Sequence, residues 1–260
     1  MTNEWDAAAP VYEDQFEKVT GTTVPRLVEW LEPRPGLTLA DVACGPGIVA
    51  MALAEHGAAV WVSDFSAEMV KRALARAAER GFSAVTGDVA DAASLPLADR
   101  TVDGAVSNFG VIFCPAIGDA LHELARITRS GGHLAITAWT TEATNGWTTL
   151  LGDEYADELG FTVPPRPMYR WGSARELRKA LDDAGWHSID IVTVDFEPTL
   201  HAPDAVGDAL TTPATRLALA PLSEAQVDAL RAYLVRRGRE LFGGEPVALP
   251  RQAWLARGTA

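Results

Sequence analysis

The residues best suited to chemistry lie in the first half of this 260-residue chain. Asp41-Val-Ala43-Cys-Gly45-Pro-Gly47-Ile-Val-Ala50 joins a short apolar run, Leu37–Ala43, to a helix-like segment, Ile48–Glu55. Glycines at such a junction let the backbone approach a ligand closely. The helix start beyond them offers unpaired amides and a positive dipole end. Taken alone, the loop fits G-x-G-x-x-A, which a nicotinamide- or flavin-binding loop satisfies equally, and a tight turn without a ligand also explains it. Three later residues strengthen the signal. Asp64 ends the next strand, 19 residues after Gly45, where a carboxylate accepts bonds from both hydroxyls of a ribose. Asp88 ends a third strand in Gly87-Asp88-Val89, placed to accept a bond from an exocyclic adenine amine, and Asn108 ends a fourth. All of them fall at carboxyl ends of strands, where open α/β sheets bind ligands.

The elements that position these residues alternate. Strands are expected at Leu37–Ala43, Ala59–Ser63, Phe82–Thr86, Val102–Ser107 and His133–Trp139. Between them lie Ile48–Glu55, a helix capped by Ser66 and ending near Arg80 with Gly81 beyond, and Ala116–Thr128 with helically spaced Ile117, Leu121, Leu124 and Ile127. Strands alternating with amphipathic helices imply right-handed βαβ units and a parallel sheet. The rhythm then breaks. Residues 140–170 are rich in proline and aromatics, Ser173-Ala-Arg-Glu176 and Ser223-Glu-Ala-Gln226 open two helices, and 197–222 reads as a connection. His187–Phe196 and Ala253–Ala256 are expected as the last strands.

At the glycine loop and strand-end acids the chain resembles the class I S-adenosylmethionine-dependent methyltransferases, in the small-molecule branch that includes ubiquinone and menaquinone biosynthesis enzymes. Asp64-Phe65-Ser-x-x-Met69 resembles that family's ribose segment, and Gly87-Asp88 with Leu95-Pro96-Leu97 its adenine segment. Arg126-Ile-Thr-Arg-Ser-Gly-Gly132 resembles the turn before its fifth strand. The likeness is good over residues 5–140 and only an outline beyond. It implies an α/β, Rossmann-like, doubly wound seven-stranded sheet with helices on both faces and a C-terminal antiparallel hairpin. It also implies one methyltransferase domain over 1–260: lid helices in 1–36, a cofactor core in 37–140, and substrate-capping insertions with the last strands in 141–260. The implied cofactor is S-adenosyl-L-methionine. Its methionine part would lie against Ala43, Gly45 and Gly47, its ribose on Asp64 near Phe65 and Met69, and its adenine on Asp88 and the Val89 amide. The Asn108 region would face the methionine amino group. Tyr12, in a stretch resembling the family's lid helix, would approach the cofactor carboxylate or else simply pack an amphipathic helix. The branch's usual spacing before Leu-Pro picks out Asp91; because Gly87-Asp88 directly ends the strand, Asp88 is preferred, with a three-residue insertion after it.

Composition narrows the partners. A net charge of −13 disfavours nucleic-acid phosphates, and a small cationic ligand suits it. No apolar run spans a membrane, the N-terminus is acidic, and Cys44 and Cys114 lack disulfide or metal spacing. The expectation is a cytoplasmic protein acting on a small molecule, with no metal. Trp139, Trp147, Tyr155, Phe161, Met168, Tyr169 and Trp171 form either an aromatic wall for a planar or isoprenoid-like acceptor or a satellite core. No histidine or acid stands out as a general base, so no catalytic residue is assigned. An NAD(P)-dependent oxidoreductase and a non-catalytic cofactor-binding partner protein are the alternatives. The proline between the glycines and the lack of a Tyr-x-x-x-Lys pair weigh against the first.

Overall fold

A computed structural model describes residues 5, 6, 9, 17 and 19–260. Seven strands form one sheet in the order β3-β2-β1-β4-β5-β7-β6. They are β1 (Thr38–Val42), β2 (Ala59–Asp64), β3 (Val85–Val89), β4 (Val102–Asn108), β5 (Thr128–Trp139), β6 (His187–His201) and β7 (Val247–Thr259). The first five are parallel, and β7 with β6 makes an antiparallel C-terminal pair, completing a Rossmann-like mixed sheet. The helices are α1 (Val24–Leu31), α2 (Ile48–Glu55), α3 (Ala67–Glu79), α4 (Ile117–Ile127), α5 (Tyr155–Leu159), α6 (Ala174–Asp183), α7 (Pro213–Leu219) and α8 (Glu224–Phe242).

The chain divides into two compact units. Unit 1 comprises residues 1–138, 173–193 and 254–260, and unit 2 comprises 139–172 and 194–253. In unit 1 the central strands are buried nearly throughout: Leu39, Ala40, Val60, Val62, Ala105, Val106, Leu134 and Ile136 are all inaccessible. Such continuous apolar runs are expected where helices cover both faces of a parallel sheet. Helix α4 buries Leu121, Leu124 and Ile127, and the fully buried Trp186 donates its indole N–H to the Leu121 carbonyl at 3.2 Å. Ser66 caps α3 by accepting from the Met69 amide, a bond worth about 1 kcal/mol.

Several boundaries differ from the pattern in the sequence, each for a local reason. The third strand starts at Val85 rather than Phe82. Phe82 instead closes α3: its N–H bonds to the Ala77 carbonyl, Gly81 bonds to Ala78, and Gly81 takes φ +76°. This paired C-terminal cap uses the residue that β propensity assigned to the strand. Strand β7 is 13 residues long where Ala253–Ala256 was expected, because polar residues inside it are engaged across the sheet. Gln252 accepts from the Thr140 amide and donates its side chain to Asp195. The connection 197–222 is more ordered than its prolines suggest, with β6 continuing to His201 before a 3₁₀ helix, Pro203–Thr211, and α7.

Candidate functional site

The turn from β1 into α2 is built from left-handed backbone. Ala43, Gly45 and Gly47 have φ of 54°, 54° and 85°. Ala43 holds this conformation as a non-glycine, a local strain of order 1 kcal/mol. Gly110 is its neighbour: a Cβ there would sit 2.5 Å from both the Ala43 Cβ and its carbonyl oxygen. Gly47 answers a packing need, since its Cβ would come within 2.9 Å of Ala73 on α3.

Two buried carboxylates hold this turn. Asp41 accepts from the Ala50 amide through Oδ2, while its Oδ1 is buried with no hydrogen-bond partner among the described residues. Burial raises the Asp41 carboxyl to about 7, opposed by the Ala50 bond and assisted by the nearby Asp64 charge. Asp64 accepts from the Gly45 amide at 3.0 Å and the Ser66 amide at 2.9 Å, one bond per oxygen. Burial lifts it to about 6 despite these bonds, and Asp6 adds a further push upward. Asp6 also bonds the Ser66 hydroxyl at the start of α3. Each Asp64 oxygen keeps a lone pair, so the carboxylate can accept two more hydroxyl donors. Burial, reinforced by Asp41 and Asp64, pushes the Cys44 thiol up, which makes it a packing residue rather than a nucleophile.

The register of β2 and β3 sorts the remaining acids. Ser63 pairs with Asp88 and Asp64 with Val89, so Asp88 and Asp64 project to opposite faces of the sheet. Asp88 lies on the Trp61 face and accepts from the Trp61 indole N–H at 2.9 Å. Asp91 lies past the end of β3, accepts from the Ala93 amide, and approaches the Cys114 thiol after β4. Position at the end of the strand therefore does not by itself put Asp88 on the Asp64 face of the sheet. Phe65 and Val89, at the ends of β2 and β3, are 48% and 55% exposed, whereas Met69 on α3 is fully buried. Asn108 is committed within the protein. Its Oδ1 accepts from Thr23 and Thr137 at 2.8 Å, and its Nδ2 donates to the Thr20 carbonyl. Tyr12 lies outside the described residues.

Comparison with known proteins agrees with this geometry. The family model described as a methyltransferase domain matches residues 40–136. A demethylmenaquinone methyltransferase of Corynebacterium kroppenstedtii is 27% identical over 172 residues, 61% of this chain and 72% of its own. Residues 40–136 thus resemble a methyltransferase domain, carried on the Rossmann-like sheet described above. An uncharacterized protein of Mycobacterium tuberculosis is 32% identical over 172 residues, 66% of this chain and 62% of its own. The chain thus spans about three fifths of the length of that relative. Among solved structures, YcgJ of Bacillus subtilis superposes with a TM-score of 0.62 at 18% identity, covering 92% of this chain and 98% of the other. The fold also serves other chemistry: the 4+2 cyclase SpnF matches with a TM-score of 0.57 at 21% identity, over 92% and 80% of the chains.

Unit 2 contains less aromatic wall than the sequence suggests. Trp147 is buried in a cluster with Leu150, Val206, Leu210, Tyr233 and Leu249, and Tyr155 and Phe161 pack against it. Those three aromatics form a second core. Trp139 instead meets Phe196, with ring centroids 5.6 Å apart. The sequence reading missed Thr20, Thr23 and Thr137, which together fix Asn108, and Gly110, whose missing Cβ makes room for Ala43. Thr137 carried a faint signal as a polar residue interrupting the apolar run of β5. Thr20 and Thr23 carried none, being held by contacts more than 80 residues distant.

Proposed function

We propose that this protein binds S-adenosyl-L-methionine at the carboxyl ends of β1, β2 and β3 and transfers its methyl group to a small-molecule acceptor. When bound, that cofactor supplies a methyl group on a sulfonium centre, activated towards in-line displacement. The observation that carries the reading is Asp64. It is a buried carboxylate fixed by the Gly45 and Ser66 amides, with lone pairs left for two hydroxyls. In this reading Asp64 accepts from the ribose. Asp91 and the Val89 amide take the adenine edge, and the exposed Phe65 and Val89 side chains supply apolar surface for the ring. Ala43, Gly45 and Gly47 keep the β1 turn free of bulk beside the methionine part. Asn108 acts as a positioning residue that ties β4 and β5 to the segment before α1. Alignment supplies most of the acceleration, so a protein nucleophile is not needed. Unit 2 selects the acceptor.

The test is transfer of an isotopically labelled methyl group from S-adenosyl-L-methionine across a panel of small-molecule acceptors. Label in product, absent with Asp64→Ala, supports the reading. Cofactor binding with no transfer to any acceptor would leave a binding protein or another chemistry, as the cyclase neighbour illustrates.

A further inference from the structure

Unit 2 holds two inward-turned arginines, and only one is neutralised. Arg166 is 4% exposed. Its guanidinium carbon lies 4.8 Å from the centre of the Trp147 ring and 4.3 Å from that of Tyr169. It is also 3.4 Å from the Glu142 carboxylate, and it donates to the Thr148 hydroxyl at 2.7 Å. Arg251 differs. On β7 it follows Val247 and Leu249 at two-residue spacing, and both of those are buried members of the unit 2 core. Alternation therefore turns Arg251 towards the side where an apolar residue is expected. It is half-buried, and among the described residues its guanidinium makes no ion pair or hydrogen bond. Glu142 is ion-paired with Arg166 and Asp208 with Arg231, while Asp195 bonds the Gln252 amide.

The surroundings are aromatic. The Asp195–Gln252 pair fixes one face of the β6–β7 ladder, so Phe196 and Arg251 share the opposite face. Phe196 packs on Trp139, and the Tyr169 phenol lies close enough to Arg251 to feel its charge. Burial and then Arg251 hold the His201 imidazole below its ordinary value, so it adds no charge at neutral pH.

The geometry points to Arg251, with Tyr169 beside it and Trp139 and Phe196 on the same face, as a subsite for the carboxylate of an aromatic or otherwise apolar acid. One uncompensated cation matches one negative charge, and a half-buried cation without a counter-ion is stabilised by a ligand that supplies one. The identification of this acid as the methyl acceptor rests on the function proposed above; the subsite itself does not.

The full-length protein, saturated with S-adenosylhomocysteine, would be titrated with phenylpropionate, its neutral amide and phenylpropyl phosphate. The carboxylate is expected to bind at least ~10-fold more tightly than the amide, with Arg251→Gln abolishing the preference and Arg251→Lys keeping part of it. Arg251→Gln is also expected to hold or raise the melting temperature, whereas an arginine needed for packing would lower it. Equal binding of carboxylate and amide, an unchanged preference in Arg251→Gln, or a phosphate bound more tightly than the carboxylate would overturn the assignment. A separate titration with S-adenosylhomocysteine alone reads the cofactor site. Failure there with the carboxylate preference intact would sink the proposed function and leave the subsite standing.

Discussion

The two units bury opposite charges. Unit 1 places Asp41 and Asp64 behind the turn that follows β1, and unit 2 buries Arg166 between the Trp147 and Tyr169 rings and half-buries Arg251. Buried charge is expensive in either sign, so each set marks a place where a requirement other than packing operates. The acids are held mainly by backbone amides, which makes their positions rigid and their ionisation pH-dependent. The arginines are held by side chains or left open, and they keep their charge at any ordinary pH. A cationic cofactor suits the first arrangement and an anionic acceptor the second.

Deleting the acid that faces the ligand should break this contrast most severely. Asp64→Ala removes the ribose acceptor and the two bonds that set the Gly45 turn, and S-adenosylhomocysteine affinity should fall at least ~100-fold by calorimetry, about 2.7 kcal/mol. In unit 2, Arg166→Met should unfold the chain earlier without touching the cofactor. It removes the ion pair to Glu142, the bond to the Thr148 hydroxyl and the stacking on Trp147 and Tyr169, at a cost of about 2 kcal/mol in a denaturant titration, with cofactor affinity within ~2-fold of the parent.

The pH response sharpens the comparison. In the folded chain the Asp41 and Asp64 carboxyls keep their protons up to about 7 and about 6, above the 3.8 of an ordinary aspartate. The folded state therefore binds more protons between about pH 4 and 7, and stability falls as pH rises through that window. Asp41→Asn retains an acceptor for the Ala50 amide and removes the larger of the two shifts. It should flatten the decline, by an amount on the order of a few kcal/mol, in melting curves recorded across that range. The smallest expected effect separates two neighbours: Asp91→Ala should weaken cofactor binding ~5- to 10-fold, and Asp88→Ala by less than ~2-fold. The opposite order would return the adenine to Asp88.

How far the sequence could be read follows the same division. In unit 1, alternating apolar runs, the Ser66 cap and Gly81 located strands and helices because each element is defined by its own neighbours in sequence. The glycine loop and Asp64 were visible for the same reason. Asp88 looked equivalent to Asp64 because both sit beside strand ends. Only the register Ser63↔Asp88 reveals that they face opposite ways, and register is a property of two strands at once. The Asn108 network was invisible because its partners lie 29 to 88 residues away in sequence. In unit 2 the aromatics announced themselves without saying which were core, since Trp147 and Trp139 have the same local context and different neighbours. Arg251 carried no sequence signal at all. A lone arginine between proline and glutamine becomes notable only when Leu249 and Val247 are seen to be buried on its side of the strand.

The most direct single measurement is calorimetric titration of the full-length protein with S-adenosylhomocysteine at about pH 5 and about pH 8. Ionised Asp64 is the better acceptor for ribose hydroxyls, and its carboxyl sits at about 6 in the folded chain. One-to-one binding at least ~10-fold tighter at the higher pH is therefore expected, with that difference lost in Asp64→Asn. No binding at either pH, or equal affinity at both in the unmodified protein, would contradict the assignment of this strand edge to the cofactor.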